Sequence, residues 1–433
     1  MTLTPEQRGI GRRNFLRALA GTPALATLGA ASVLKGPVRG GPVRLGFIGV
    51  GGQGRALLGR VNPAFGTVVG LADINPSSLA KADDVLKNRK QAPAPHYAEW
   101  REMLEKENVE AVVVAVPLWA HADVVVPCLE AGKHVLCEKM MAWDVAGCER
   151  MTAAAEKNNR VLEIGYQRNY NPVYQAAYDG IVKPGLLGDV YHVRLAWHRN
   201  GNWRRAGGPP SPDYDPSRWG YPSFEHLWNW RLYWKYSRGL FAELCSHQLN
   251  ATNWYLASAP VAVQAYGGVH RFKDGREAHD HVYSIFEYPN GLTATFSSIE
   301  SNAFDQRYET FFGTKATLIM YNESEALLFN EGAADPEGAR TTGVEVSGTR
   351  GGAALDASET KPASNATSAA STRAPSSPDG PERASATEQE ISGFCAAIRV
   401  GSPVRCGPER AFDSARACIA ACEAAKQSTR LTI

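Results

Sequence analysis

The stretch Val43-Arg44-Leu45-Gly46-Phe47-Ile48-Gly49-Val50-Gly51-Gly52-Gln53-Gly54 decides the fold. Its first six residues read as a short buried strand, and residues 55–60 read as a helix. Between them the glycines are spaced Gly49-x-Gly51-x-x-Gly54. Gly49 permits a tight turn, Gly51 lets a pyrophosphate approach the backbone, and Gly54 lets helix and strand pack closely. Gly52 and Gln53 complete the loop, and the unpaired N–H groups at the helix start face the phosphates. A second strand at 67–72 ends at Asp73, nineteen residues after Gly54. Its carboxylate can accept hydrogen bonds from an adenosine ribose and would repel a 2′-phosphate. Ile74-Asn75 brings no cation, so NAD is favoured over NADP. A helix cap within Asp73-Ile74-Asn75-Pro76 is the alternative for this carboxylate.

Outward from this core, strand and helix alternate. Helices are expected at 76–87, 99–106, 120–131 and 144–157, and strands at 109–116, 134–137 and 161–165. The strands are continuous apolar runs, as in a parallel sheet covered on both faces. Past residue 166 the style changes. Strands at 190–197, 261–270, 282–288 and 292–299 alternate or carry aromatics, and Pro289-Asn290-Gly291 is a hairpin turn. The fold class is α/β: an N-terminal Rossmann dinucleotide-binding domain at 41–165, then a C-terminal α+β domain with a largely antiparallel open sheet at 166–433. Residues 331–386, rich in Ala, Ser, Thr, Gly and Pro, read as a flexible low-complexity insertion, with C-terminal helices at 388–427.

Residues 1–40 read as an address. Arg12-Arg13-Asn14-Phe15-Leu16 precedes a run of small and apolar residues from Ala18 to Leu34, which resembles a twin-arginine export signal. A plain amphipathic helix is the alternative. The expectation is a periplasmic or extracytoplasmic protein exported folded, anchored to the membrane if the leader is kept. The chain's formal charge of +2 misleads: six of its 46 basic residues and one of its 44 acids lie in 1–40, so the body from Gly41 is net −3. That balance argues against a nucleic-acid partner, which demands a basic domain. The eight cysteines form no CxxC pair, and no metal site is expected.

Two further motifs carry chemistry. Glu138-Lys139 ends the strand at 134–137, at the edge where open α/β sheets place ligands. A lysine there can stabilise a substrate alkoxide, although a solvated ion pair is the alternative. Glu243 and His247 lie four apart in a stretch, 239–256, that reads as a helix, so the carboxylate can fix the tautomer of a proton-accepting imidazole. A structural histidine is the alternative. Six of the ten tryptophans fall between Trp197 and Trp234. There His198, Asn200, Trp230 and Arg231 are candidates for a sugar cleft, set against core packing or an interface.

Taken in order, Gly49–Gly54, Asp73, Val116-Pro117 with His121, Glu138-Lys139, Gly165–Tyr170 and Glu243–His247 resemble the Gfo/Idh/MocA family of sugar and polyol oxidoreductases. The family's Glu-Lys-Pro is Glu138-Lys139-Met140 here, and its Asp four residues before the catalytic His is Glu243. The resemblance implies Lys139 and His247 as the catalytic pair, with Glu243 beside them. It also implies Val116, Pro117, His121 and Glu138 around the cofactor, and Gln167, Arg168 and Tyr170 bordering the substrate. Hydride would pass between a carbinol carbon and a tightly bound NAD. Beyond the sugar or polyol, the export machinery and a second copy of the chain, in a dimer or tetramer, are the expected partners. A redox-neutral NAD-dependent glycosidase, resembling the α-N-acetylgalactosaminidases of that superfamily, and a non-catalytic sugar-binding protein are the alternatives.

Overall fold

The computed structural model describes residues 3–24, 40–331 and 385–433. The chain opens with α1 (Pro5–Leu19), which returns below. A six-stranded sheet follows, built from β1 (Val43–Ile48), β2 (Gly66–Ala72), β3 (His96–Tyr97), β4 (Ala111–Val114), β5 (His134–Glu138) and β6 (Leu162–Gly165). Its order is β3-β2-β1-β4-β5-β6 and every pairing is parallel. Five helices cover it: α2 (Gly52–Leu58), α3 (Pro76–Asn88), α4 (Trp100–Lys106), α5 (His121–Glu130) and α6 (Val145–Lys157). All four residues of β4 are buried, because helices lie on both faces and leave no side for polar residues. Strand order reverses between β1 and β4, which places the crevice for a ligand at their C-terminal ends.

The second sheet has eight strands: β7 (Val190–His198), β8 (Ala262–Gly268), β9 (His281–Glu287), β10 (Thr293–Ile299), β11 (Arg307–Gly313), β12 (Ala316–Tyr321), β13 (Glu325–Asn330) and β14 (Arg430–Thr432). Their order is β13-β12-β11-β7-β10-β9-β8-β14, antiparallel except for the β7–β10 pair. α7 (Pro172–Ala177), α8 (Phe224–Trp228) and α9 (Ser246–Leu256) come from this half. The C-terminal helices are α10 (Ala386–Val400) and α11 (Pro408–Gln427). α11 packs against β8, α9 and α6, and so joins the two halves.

Three placements differ from expectation or fall outside the described residues. α10 packs on the six-stranded sheet as well as on residues 167–170: Ile391, Phe394 and Cys395 are buried in one cluster with Leu45, Phe47 and Leu57. The expected insertion falls almost wholly outside the described residues. α1, drawn from the expected leader, is capped by Thr4 and Gln7 in a reciprocal box and lies on β13. Gly11 sits against Leu327 and Phe329, Arg8 and Arg12 pair with Glu325, and Phe15 and Leu19 are buried. No helix among the described residues is long and apolar enough to cross a membrane. All eight cysteines are buried, free thiols.

Candidate active site

At the end of β1 the glycines take the roles that their spacing assigns. Gly49 has φ of 87°, and a Cβ there would lie 2.7 Å from the Ala115 carbonyl oxygen. α2 starts at Gly52 with Gly51 as its cap residue and no side chain satisfying its first N–H groups. Added Cβ atoms on Gly51 and Gly52 would meet nothing within 4 Å. Free N–H groups on an open glycine surface, at a helix N-terminus, fit a pyrophosphate. A Cβ on Gly54, by contrast, would lie 2.0 Å from the Gly49 carbonyl oxygen. Gly54→Ala must therefore pry helix from strand, at about 1–3 kcal/mol. It is expected to weaken NADH binding roughly 10- to 100-fold, read by fluorescence titration of the folded variant.

Asp73, just past β2, is not a helix cap; Asn75 caps α3 by accepting from the Ser77 N–H. The Asp73 carboxylate accepts from the Val50 N–H and the Asn75 N–H, both at 2.8 Å. It thereby ties the glycine loop to the end of β2. Burial raises its pKa to about 6, against the pull of those two N–H groups. It stands just past the C-terminal end of β2, beside the glycine loop. Val116 and Pro117 follow β4, half-exposed at the same edge. Glu138 accepts from the Gln53 side chain at 2.6 Å and from the Lys139 N–H at 3.1 Å, so it fastens the loop after β5 to the glycine loop. Burial lifts the pKa of this carboxylate.

His121 occupies a different place from the one expected of a cofactor ligand. It is 1% exposed, with Nδ1 2.9 Å from the Met140 carbonyl oxygen and Nε2 3.1 Å from that of Val116. Burial lowers its pKa, so the neutral ring donates to one of these carbonyls and abuts the other, packed between the loops beneath the surface.

Lys139 reaches from the end of β5 across to the second domain. Its Nζ donates to the Glu243 carbonyl oxygen at 2.9 Å and lies 3.7 Å from the Glu243 carboxylate. The expected Glu243–His247 contact is not made. Residues Phe241–Cys245 form a π-helical turn before α9, so the i, i+4 geometry of an α-helix does not apply across them. Glu243 instead accepts from Arg231 Nε at 2.9 Å. Burial works to raise its pKa, but Arg231 and Lys139 hold it down to about 2. His247, on α9, is 8% exposed and sits between the rings of Trp197 and Tyr166 at 5.7 and 5.9 Å. Its Nδ1 is buried without a hydrogen-bond partner. Burial, then the charge of Lys139, drive its pKa well below the ordinary histidine value. The site thus presents a neutral imidazole beside a cationic lysine.

Other expected substrate residues lie elsewhere. Arg168 and Tyr170 are core residues: Arg168 pairs with Glu309 and Glu323, and the Tyr170 hydroxyl donates to Glu163. Gln167 remains half-exposed beside them. His198 hydrogen-bonds Ser297 on the outer face of the sheet, because neighbouring residues of a strand point to opposite faces and Trp197 faces His247. Asn200 is exposed past the end of β7, bridged to Ser301. Trp230 is half-buried beneath Arg231, whose guanidinium lies 4.3 Å from its ring centre. No reading of the sequence anticipated the strap formed by residues 200–236. It leaves β7 and reaches across to the first domain. The Tyr214 hydroxyl donates to the Ile74 carbonyl oxygen at 3.0 Å, and Trp119 Nε1 donates to the Tyr221 hydroxyl at 2.8 Å. The strap therefore contacts the first domain next to Asp73 and just past Pro117.

Comparison with known proteins agrees with this geometry. The family model described as the NAD-binding Rossmann fold of the Gfo/Idh/MocA oxidoreductases matches residues 43–166, and that of the family's C-terminal domain matches 176–319. The chain belongs to the Gfo/Idh/MocA oxidoreductase family. Inositol 2-dehydrogenase of Salmonella paratyphi B is 32% identical over 154 residues, 35% of this chain and 44% of that protein. A glycosyl hydrolase family 109 protein of Phocaeicola vulgatus is 28% identical over 159 residues, 36% of this chain and 38% of that one. The matches thus span less than half the length of these two relatives. The scyllo-inositol dehydrogenase of Lactobacillus casei, solved with NAD(H) and scyllo-inositol, superposes with a TM-score of 0.63 at 17% identity, covering 90% of this chain and 99% of that one. At that identity the likeness is one of fold.

Proposed function

We propose that this protein is an exported oxidoreductase that keeps NAD bound and exchanges hydride with a carbinol carbon of a sugar, glycoside or polyol. The observation that carries this reading is Lys139, at the C-terminal edge of β5, held on the Glu243 backbone carbonyl, with its charge acting on the buried, unpartnered imidazole of His247. Bound NAD supplies the acceptor and donor of the hydride. His247 takes the hydroxyl proton, and Lys139 holds the oxygen as its charge develops. Arg231 and the Glu243 backbone carbonyl keep Lys139 and Glu243 aligned.

Retention of the cofactor follows from the strap and from the proposed location. Outside the cytoplasm no NAD pool replenishes a lost molecule, and Tyr214 and Tyr221 tie residues 200–236 over the adenosine end of the crevice. Arg12-Arg13 and the apolar run behind it support export through a twin-arginine route. Self-association is proposed through the outer face of the second sheet, where Tyr266, Tyr283 and Ile285 stand side by side on β8 and β9, about half exposed.

The test is the near-ultraviolet absorbance of the purified, folded protein, before and after pyranosides and polyols are added. A stoichiometric band of reduced nicotinamide that rises with sugar supports the reading. Absence of bound nucleotide, with no response to added NAD or NADP, removes it. Likeness to a glycosyl hydrolase family 109 protein favours a second, redox-neutral reading. In that case a glycoside would be cleaved with no net change in the band and no second carbonyl substrate.

A further inference from the structure

The inner face of the second sheet changes character along its length. Strand alternation puts Val193, Leu195, Trp197 and Arg199 on this face of β7 and its continuation, and Ala294, Phe296, Ser298 and Glu300 on the same face of β10. The two series run side by side. Leu195 pairs with Phe296 and Trp197 with Ser298, and past the end of β7 the Arg199 N–H still donates to the Ile299 carbonyl oxygen at 2.9 Å. The face thus passes from apolar to charged. α9 and the π-helical turn before it lie on it: Phe241 meets Phe296 with ring centres 5.9 Å apart, and His247 meets Trp197 at 5.7 Å. The turn that carries Glu243 packs on both β7 and β10. Arg199 stands two residues beyond Trp197 on the same face, about 7 Å further along the strand.

Glu300 ends its series 0% exposed. Its Oε1 accepts from Arg199 Nε at 2.5 Å, while Oε2 is buried without a partner. Burial lifts its pKa to about 7 against the pull of Arg199. Buried polar atoms left open in this way are uncommon in packed interiors and concentrate at functional sites. Arg199 is fixed from two sides, by Glu300 and by Trp203 of the strap, whose ring centre lies 4.1 Å from the guanidinium. Its Nε is spent on Glu300, and neither Nη group makes a hydrogen bond among the described residues; Nη2 is buried and Nη1 is not. The side chain is 32% exposed. Arg199 is therefore a held fork with an open, outward donor, one side-chain step from the ring that flanks His247. Its charge already has a carboxylate, so a second anion would compete with Glu300. A neutral hydroxyl oxygen accepts from Nη1 without displacing that partner.

We propose that Arg199 donates through Nη1 to a hydroxyl of the substrate sugar other than the one oxidised, and so selects which carbinol is presented to Lys139 and His247, with buried Glu300 as its positioning residue. The inference rests on the reading of the protein as a sugar oxidoreductase.

The experiment deletes one hydroxyl at a time. The NAD-loaded full-length protein is given D-glucose, D-galactose and D-mannose, and the tightest-binding of them is compared with its own deoxy analogues, by calorimetric binding and by the rise of the nicotinamide band. In wild type, one deletion away from the reacting carbon should cost roughly 10- to 100-fold, the worth of a hydrogen bond from a charged donor. Arg199→Lys keeps a charge opposite Glu300 and so preserves the fold, but its single ammonium is taken by that carboxylate. It should abolish the penalty for that one hydroxyl while bound NAD stays stoichiometric. Glu300→Gln, which keeps an oxygen for Nε, should retain part of the penalty, and Glu300→Ala should lose it. A wild type indifferent to every deletion, a penalty that survives Arg199→Lys, or failure to bind any of the sugars overturns the proposal. So does loss of NAD from Arg199→Lys, since the role is then structural. Should sugar raise the nicotinamide band while Arg199→Lys leaves the pattern of penalties untouched, only the Arg199 assignment falls. Should Arg199→Lys abolish the penalty in binding while the band never changes, the hydride reading falls and the hydroxyl site stands.

Discussion

Replacing His247 with Ala is expected to lower kcat by roughly 10²- to 10⁴-fold, the usual worth of a positioned proton acceptor, while bound NAD stays stoichiometric. The side chain is well placed for that role and poorly placed for a structural one. A histidine that merely supports a core is locked to its neighbours, as His121 is with its ring set between the Met140 and Val116 carbonyls. His247 leaves Nδ1 buried and unpartnered between Trp197 and Tyr166. Its Nδ1 thus pays a desolvation cost that folding does not repay, the pattern of a group kept for chemistry.

The pH dependence carries the sign of that environment. Only the neutral imidazole accepts a proton, and protonation of the ring is what would end activity on the acid side. Burial, Lys139, Arg168 and Arg307 all act to lower the pKa of His247 well below 6.5. At saturating cofactor, kcat should therefore stay level as pH falls from about 8 to about 6, instead of halving near the ordinary histidine value. Steady-state rates across that interval check this. A decline centred at about 6.5, or a loss of less than tenfold in His247→Ala, would show that the proton goes elsewhere.

The sequence disclosed what depends on neighbours in the chain and hid what depends on distant ones. Gly49, Gly51 and Gly54 were readable because turn, helix start and strand contact are local events. The β9–β10 hairpin was readable for the same reason. β13 is hard to read in the chain because α1 covers its outer face at the sheet edge, so it loses the alternation that marks a half-buried strand. The Glu243 partner was misread because four-residue spacing presumes an α-helix, and the turn there is π-helical. Arg231, the true partner, comes from the strap, which has no periodicity to betray where it crosses. Trp197 and His198 illustrate the limit most simply. Strand alternation says that only one of the two can face the site, but not which.

Arg168, expected at the cleft, is instead the residue whose loss should damage the fold most. It is 2% exposed, and it reaches two carboxylates more than 130 residues away in sequence. Nη1 donates to Glu309 at 2.5 Å and Nε to Glu323 at 2.9 Å. Glu309, on β11, is 1% exposed and also accepts from the Tyr174 hydroxyl at 2.6 Å. Arg168→Leu strands that carboxylate in the interior with one neutral donor, which should cost about 3–5 kcal/mol. Arg168→Leu with Glu309→Leu removes both charges and the desolvation that each requires, so the double variant should be more stable than the single one. Denaturant unfolding of the three proteins decides the matter. A single variant within about 1 kcal/mol of wild type would mean that water or Tyr174 already satisfies Glu309. A double variant worse than the single would mean that the arginine acts chiefly by packing, over Tyr174 and Trp197, both 5.5 Å from its guanidinium. The distinction reaches the active site, because Trp197 is also the ring that flanks His247. If packing dominates, Arg168→Leu should lower kcat as well as stability, and if charge pairing dominates, the surviving folded fraction should turn over at nearly the wild-type rate.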